Sequence, residues 1–186
     1  MNAEMIIEKI RDSIENYEAF KELALDIRFR KADRRFYSWE QGVEGMVVHL
    51  FRFVDGINED NFVETITQCR LMRMADNEEW EDDFWDSMED RLIVLNSPMC
   101  IRDDLIIKEV HLRPLDTKEC LDTVRYLMKT YSPVKDFFYP TADTQDTICD
   151  IIRKSQHIEL GKNDMVLMWL SVSEDTVLTI EFGVYD

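Results

Sequence analysis

A run of carboxylates between Asp76 and Asp90 holds the residue types most able to do chemistry in this chain. Nine of its fifteen residues, DNEEWEDDFWDSMED, are acidic and none is basic. Carboxylates at this density can bind a divalent metal ion, or they can present a row of negative charges to a basic surface. Hard cations need about six oxygen ligands converging from a loop or pocket, and the sequence has no D-x-D-x-D-G loop. We therefore expect neither a metal site nor a cofactor.

As a helix, this run would present its charges in a regular row. It would be about 22 Å long at ~1.5 Å per residue, with one negative charge per ~2.5 Å, compared with one per ~1.7 Å of axis in duplex DNA. One apolar stripe recurs every four residues: Trp80, Phe84, Met88 and Leu92. We predict that this stripe packs in the core. The acidic residues away from it are then predicted to form an exposed partner-binding surface: Glu79, Asp82, Asp83, Asp86, Glu89 and Asp90.

An acidic helix face that is only solvated is the alternative. Carboxylates near the N-terminus of a helix complement its dipole, which accounts for Asp76 through Glu79. It does not account for the acidic residues beyond the first turn, where like charges one turn apart repel by about 0.2–0.5 kcal/mol per pair. Both interpretations stay open at this point.

A basic run lies upstream of the acidic one. It consists of Arg28, Arg30, Lys31, Arg34 and Arg35, followed by Phe36, Tyr37 and Trp39. Guanidinium groups with aromatic neighbours are typical of nucleic-acid contacts. The net charge of −17 opposes that interpretation, because nucleic acid and anionic membranes would be repelled. We instead predict pairing with the acidic helix of the same chain or of a second subunit, which would make a homodimer.

Groups suited to catalysis are sparse. His49 and His111 lie in apolar runs, as buried histidines that need no catalytic role do. Cys149 and His157 are close enough in sequence to suggest a nucleophile and its base, but no flanking signature accompanies them. The glycine-rich and catalytic motifs of common enzyme classes are also missing from the sequence. We expect a protein that is not an enzyme.

The negative charge is concentrated in part of the chain. Residues 36–100 contain fifteen acidic and four basic side chains, a net charge of −11. This pattern predicts a non-enzymatic inhibitor that occupies the basic, nucleic-acid-binding groove of a partner enzyme, as anti-CRISPR and anti-restriction proteins do. The analogy rests on charge and size alone. The alternative is an immunity or antitoxin protein that neutralises a toxin, and the third candidate is a metal-dependent hydrolase or nuclease.

The hydrophobic periodicity predicts the elements that position these residues. Helices are predicted over residues 3–24, from Asn58 or Asp60 to 74, and over 76–94, 116–131 and 143–155. Gly45–Val54 is predicted as a strand or a short buried helix, ahead of a turn at Asp55-Gly56, and Leu105–Leu112 as a strand. Two alternating runs, 165–172 and 176–185, predict a C-terminal hairpin. The fold class is α+β, with four or five helices and a small, at least partly antiparallel sheet.

Length and composition predict one domain and its compartment. The 186 residues are 45% hydrophobic, enough for one core, so we predict a single domain over 1–186. Its organisation could follow a helical half, 1–97, and an α+β half, 98–186. The four cysteines are too far apart for a zinc site, and no signal peptide or apolar run of ~20 residues occurs. These features predict a cytoplasmic protein, in the host cytoplasm if a phage or mobile element encodes it.

Overall fold

A seven-stranded antiparallel sheet forms the centre of the structure, with the strand order β3-β5-β6-β7-β2-β1-β4. This computed structural model describes residues 1–13, 16–74, 87–96, 112–134, 140–162 and 166–184. The strands are β1 (Ala32–Gln41), β2 (Glu44–Phe53), β3 (Arg113–Pro114), β4 (Ser132–Pro133), β5 (Gln156–Lys162), β6 (Val166–Val172) and β7 (Thr176–Val184). The predicted α+β class is confirmed. The sheet is larger than predicted, because both halves of the chain contribute strands to it.

The predicted C-terminal hairpin is confirmed. β6 and β7 pair from Val166↔Gly183 to Val172↔Val177, and the Ser173 N–H closes the turn by donating to the Thr176 carbonyl at 2.9 Å. The apolar segment after Gly45 is a strand, and it pairs with β7 over nine residues. Its other neighbour, β1, is a strand that the sequence analysis did not predict. The β1–β2 turn contains Gly42 at φ +66°, a conformation that favours glycine.

Six helices of the described ranges pack on this sheet, one more than the four or five predicted. They are α1 (Ala3–Ser13), α2 (Tyr17–Asp26), α3 (Phe62–Met74), α4 (Met88–Leu95), α5 (Thr117–Thr130) and α6 (Ala142–Arg153). The single helix predicted over 3–24 is wrong, since the described residues form two helices there. The side chain of Asn16 accepts from the Glu18 N–H at 3.0 Å, which caps a new helix start in the middle of the predicted one.

The helices cover both faces of the sheet. Because neighbouring residues of a strand point to opposite faces, Phe51 and Leu50 of β2 belong to different cores. The core on the Phe51 side, called here the front core, contains buried side chains of α1, α2, α3 and α4. The core on the Leu50 side, the back core, is covered by α5 and α6. The result is a three-layer arrangement with the sheet in the middle.

Side-chain caps define the starts of the two helices on the back face. Asp116 accepts from the N–H groups of Lys118 at 2.8 Å and Glu119 at 3.2 Å, as the sequence predicts for α5. Thr141 and Thr144 form a reciprocal capping box at the start of α6. Both helices follow their predicted ranges within a few residues.

Several predictions concern residues outside the described ranges. These are the strand over Leu105–Leu112, of which only the last residue is described, and His111, Cys100, Trp80 and Phe84. The predicted helix over 76–94 is described from Met88 onward. Within the described ranges, every helix is too short or too polar to span a lipid bilayer.

Candidate functional site

The predicted partner-binding surface is described at its C-terminal end. Glu79, Asp82, Asp83 and Asp86 lie outside the described residues. Glu89 and Asp90 lie in the first turn of α4, and Glu89 is exposed. The described part of this surface is therefore α4, together with the residues that hold α4 against the rest of the domain.

Arg91 fixes α4 to the C-terminal end of α2. Its Nη1 lies 2.8 Å from the carbonyl oxygen of Ile27, 3.0 Å from that of Leu25 and 3.3 Å from that of Ala24. The last carbonyls of a helix have no intrahelical donor and carry partial negative charge, so a guanidinium satisfies them well. The Cζ atom of the Arg91 guanidinium also lies 4.7 Å from the centroid of the Phe29 ring. The sequence analysis missed this residue, although a lone arginine beside an acidic run was a visible signal.

A second contact sets the direction of α4. The Tyr17 hydroxyl, at the start of α2, donates to the Leu95 carbonyl at the end of α4 at 2.5 Å. Since Arg91 contacts the other end of α2, the two helices run antiparallel. Val94 and Leu95 are 3% and 1% exposed in the front core.

The opposite side of α4 is exposed and partly apolar. Met88 is 58% exposed, Leu92 36% and Ile93 57%, and with Glu89 they form what we call the α4 outer face. The predicted core stripe is wrong at Met88 and Leu92, because Arg91, Val94 and Leu95 face the domain instead. Docking of Arg91 on the α2 terminus rotates the helix so that Met88 and Leu92 point to solvent.

Two residues of the basic run, Arg30 and Arg34, are half-buried, whereas Arg28, Lys31 and Arg35 are exposed. The Arg30 guanidinium donates from Nε and Nη2 to the two carboxylate oxygens of Asp55 at 2.9 and 2.6 Å, and from Nη1 to the Thr65 hydroxyl at 2.5 Å. It also contacts the Gly56 carbonyl. Arg30 thus ties the segment between α2 and β1 to the β2–α3 turn, through an aspartate that lies outside the acidic segment Asp76–Asp90. Pairing of the run with the acidic segment or with a second subunit stays a prediction.

The aromatic residues after the basic run do not form a stacking platform for bases. Tyr37 and Trp39 are buried in the back core. Phe36 is half-buried, with its ring centroid 4.9 Å from that of His49 in an edge contact. Tyr37 and Trp39 therefore fill the interior, and neither ring is available to stack on a base.

Charged groups lie beneath α3 on the front face. Arg73 pairs with Glu181 of β7 at 3.3 Å, and both side chains are nearly buried. Burial lowers the pKa of Arg34 to about 10. Burial also holds the pKa of His49 well below its usual value, and the positive charges of Arg73 and Arg34 act in the same direction. His49 is therefore neutral and structural, as its apolar surroundings in sequence predict.

The suggested Cys–His nucleophile is not assembled. His157 lies on β5, where its Nδ1 is 2.9 Å from the Ser171 hydroxyl oxygen. Cys149 is buried on α6, and no hydrogen bond joins it to His157 in the described part of the chain. Within that same part, no three His, Cys, Asp or Glu side chains converge in a way that could hold a metal ion.

Comparison with known proteins adds no family to this picture. No family model, no curated protein and no solved structure matches this chain. Function has to be argued from the residues themselves.

Proposed function

We propose that this protein acts by binding a basic protein partner, in a groove that the partner otherwise uses for nucleic acid. The contact would be made by the acidic segment Asp76–Asp90 together with the α4 outer face. One observation carries the proposal: the strongly negative segment runs directly into a helix, α4, on which Met88, Leu92 and Ile93 are exposed although Val94 and Leu95 pack in the front core. Exposed apolar residues next to charge are common at protein–protein contacts.

The basic residues near this segment strengthen the argument. Residues 36–100 contain four of them, and three are buried or nearly so. Arg70 lies over the Phe20 ring at 3.9 Å, Arg73 pairs with Glu181, and Arg91 holds α2. Arg52 alone is exposed among the four. The positive charge of this part of the chain is thus committed to the interior and is poorly placed to neutralise an acidic surface.

The two kinds of contact would play different parts in the complex. Complementary charge speeds encounter and selects the partner, whereas affinity comes mainly from a few well-buried apolar anchors. The carboxylates would follow the positive groups that line the partner's groove. Met88, Leu92 and Ile93 would supply the anchors at one end of it. A partner that binds phosphate backbones has the required charge.

The experiment is a three-way comparison of variants against a partner captured from the native host and then purified. The test variant carries Asp82→Asn, Asp83→Asn and Asp86→Asn. The matched control removes three charges from the exposed side of α1 by Glu4→Gln, Glu8→Gln and Asp12→Asn. A third variant, Ile93→Ser, removes an apolar anchor from the α4 outer face.

We expect the test variant to bind the partner at least tenfold more weakly, with unchanged or higher thermal stability. The α1 control should bind within about twofold of wild type, and Ile93→Ser should shorten the lifetime of the complex. Wild-type protein should also displace a labelled DNA or RNA from the partner. Equal affinity for all variants, or simultaneous binding of protein and nucleic acid, would contradict the proposal.

A further inference from the structure

An open groove lies on the back face, between α5 and α6. Its volume is about 300 Å³, at the lower end of the range of protein pockets that hold a ligand, about 300–1,000 Å³. Met128 and Cys149 line it and are 8% and 6% exposed, so they form its floor. The other described residues that line it are polar or charged: Arg125, Lys129, Gln145, Asp146 and Arg153. The groove thus combines a small apolar floor with a charged rim.

The rim of the groove is positive, in a protein whose net charge is −17. Arg125 and Lys129 are one turn apart on α5, and both are exposed. Within the described ranges they form no ion pair. Arg153 pairs with Asp150 of its own helix, and Asp146 is the only described carboxylate that lines the groove. The rim therefore has a net positive charge even when Asp150 is counted.

A second copy of this chain carries a surface of the opposite kind. On the α4 outer face, Met88, Leu92 and Ile93 are exposed, and Glu89 lies one turn before Ile93. The sequence that leads into this helix is the most acidic part of the chain. Apolar side chains beside carboxylates are complementary to an apolar floor inside a basic rim.

The net charge of the protein favours the groove over its other surfaces as the place of contact. Two chains of net charge −17 repel each other. At about 0.15 M salt the Debye length is ~8 Å, so the repulsion between distant parts of the two chains is largely screened. The charges close to the contact then decide its sign, and at the groove they are positive. An acidic surface is therefore attracted there.

We propose that the α4 outer face of one copy docks in the α5–α6 groove of a second copy. Met88 and Ile93 contact the floor at Met128 and Cys149, and Glu89 lies next to the cations of α5. Since α4 packs on the front core and the groove lies on the back face, one copy cannot make both contacts with the same neighbour. The contact is therefore head-to-tail, and such contacts generate rings or open chains of copies.

The contact between copies uses the surface that the partner would use. It withholds the α4 outer face from the partner until the protein is diluted, a consequence that rests on the proposed function. The contact itself needs no partner. It is tested on the purified chain alone, so its failure would leave the proposed function standing, and the reverse also holds.

Sedimentation velocity of the purified chain at increasing concentration, in about 0.15 M salt, tests the contact. The groove variant carries Arg125→Gln and Lys129→Gln, and the face variant carries Ile93→Ser. The matched control removes two exposed cations from the basic run by Arg28→Gln and Lys31→Gln, so it has the same net charge as the groove variant. All of these side chains are exposed, so circular dichroism should show unchanged folding and thermal midpoints.

We expect the wild-type protein to associate in the sub-millimolar range, as contacts with few anchors do, and to form species larger than a dimer. The groove variant and the face variant, each measured alone, should associate at least about tenfold more weakly. The control should associate within about twofold of wild type, because its two charges lie outside the groove.

A mixture of equal amounts of the groove variant and the face variant gives the sharpest outcome. The groove variant keeps an intact α4 outer face and the face variant keeps an intact groove, so one pair of molecules can form a single contact. The mixture should therefore form heterodimers that grow no further. Any of four results would overturn the proposal: wild-type protein that stays monomeric up to about 1 mM, a wild-type dimer that does not grow, a mixture that stays monomeric, or a control as weak as the groove variant.

Discussion

Removing the Arg91 guanidinium tests the contact that sets the position and rotation of α4. In Arg91→Met the apolar stem stays, but the carbonyls of Ala24, Leu25 and Ile27 lose their donor. One Nη1 nitrogen carries two hydrogens, so the three contacts amount to about two full hydrogen bonds. A hydrogen bond to a charged group contributes about 1.5–3 kcal/mol. We therefore expect the free energy of unfolding to fall by about 3–6 kcal/mol.

That loss is large for a single domain, whose total stability is about 5–15 kcal/mol. At about 2–4 °C per kcal/mol for a chain of this size, the midpoint of thermal unfolding should fall by roughly 10 °C. Urea unfolding followed by circular dichroism measures the free energy, and an unchanged slope with urea shows that the native state stays compact. Because the contact is buried, the effect should change little with added salt.

Two further variants check that the loss comes from the carbonyl contacts. Arg91→Lys keeps one cation near the α2 terminus but cannot stack on Phe29 as a planar group, so its cost should be intermediate. Arg125→Met removes an arginine from the exposed side of α5 and should change stability by no more than about 0.5 kcal/mol. If Arg91→Met costs as little as Arg125→Met, the guanidinium does not hold α4 and the reasoning about its rotation is wrong.

The remaining predictions concern the α4 outer face, pH and salt. Met88→Ser should cost less than about 0.5 kcal/mol of stability, because Met88 is 58% exposed. Leu95→Ala, in the front core, should cost about 2–5 kcal/mol. Equal losses for the two variants in urea unfolding would place Met88 in the core. Because the pKa of His49 is held well below its usual value, the unfolded chain takes up a proton below about pH 6.5 that the folded protein does not. The stability that neutral His49 contributes is complete above that pH and falls as the pH drops, by up to about 1.4 kcal/mol per pH unit. His49→Phe should therefore lose less stability than wild type between pH 7 and pH 5. Parallel curves of unfolding free energy against pH for the two proteins would refute this. The association rate with the partner should drop between 0.1 M and 1 M salt as the Debye length shrinks from ~10 to ~3 Å, and a rate that is the same at both salts would exclude electrostatic steering.

Local patterns in the sequence predicted those elements whose stabilising contacts lie within a few residues. The α5 cap at Asp116 and the turn between β6 and β7 are of this kind. By contrast, β1 was not predicted, although all ten of its residues pair with β2. Its sequence, ADRRFYSWEQ, mixes charged and aromatic residues and shows no clear apolar alternation. In the fold, Arg34 is half-buried on one face of the strand, while Asp33 and Arg35 are exposed on the other. The pattern becomes a strand only when β2 supplies the partner ladder.

The candidate site likewise combines a property that the sequence determines with one that only the fold determines. Its negative charge is a property of composition, so residues 36–100 are acidic whatever the fold. Which apolar residues face solvent could not be predicted from the four-residue repeat, because a helix can pack either side on a domain. Contacts far apart in sequence decided it: Arg91 with the end of α2, and Tyr17 with Leu95.

The sequence by itself determined the α+β class, the C-terminal hairpin, the α5 cap at Asp116 and the uneven distribution of charge. All of these follow from neighbouring residues or from simple counting. Tertiary structure alone decided that β1 joins the sheet, that Met88 and Leu92 face outward, and that Arg91 lies on the end of α2. Each of these depends on which distant segments pair, and the free energy of that pairing is shared over the whole core instead of being encoded in any short stretch of chain.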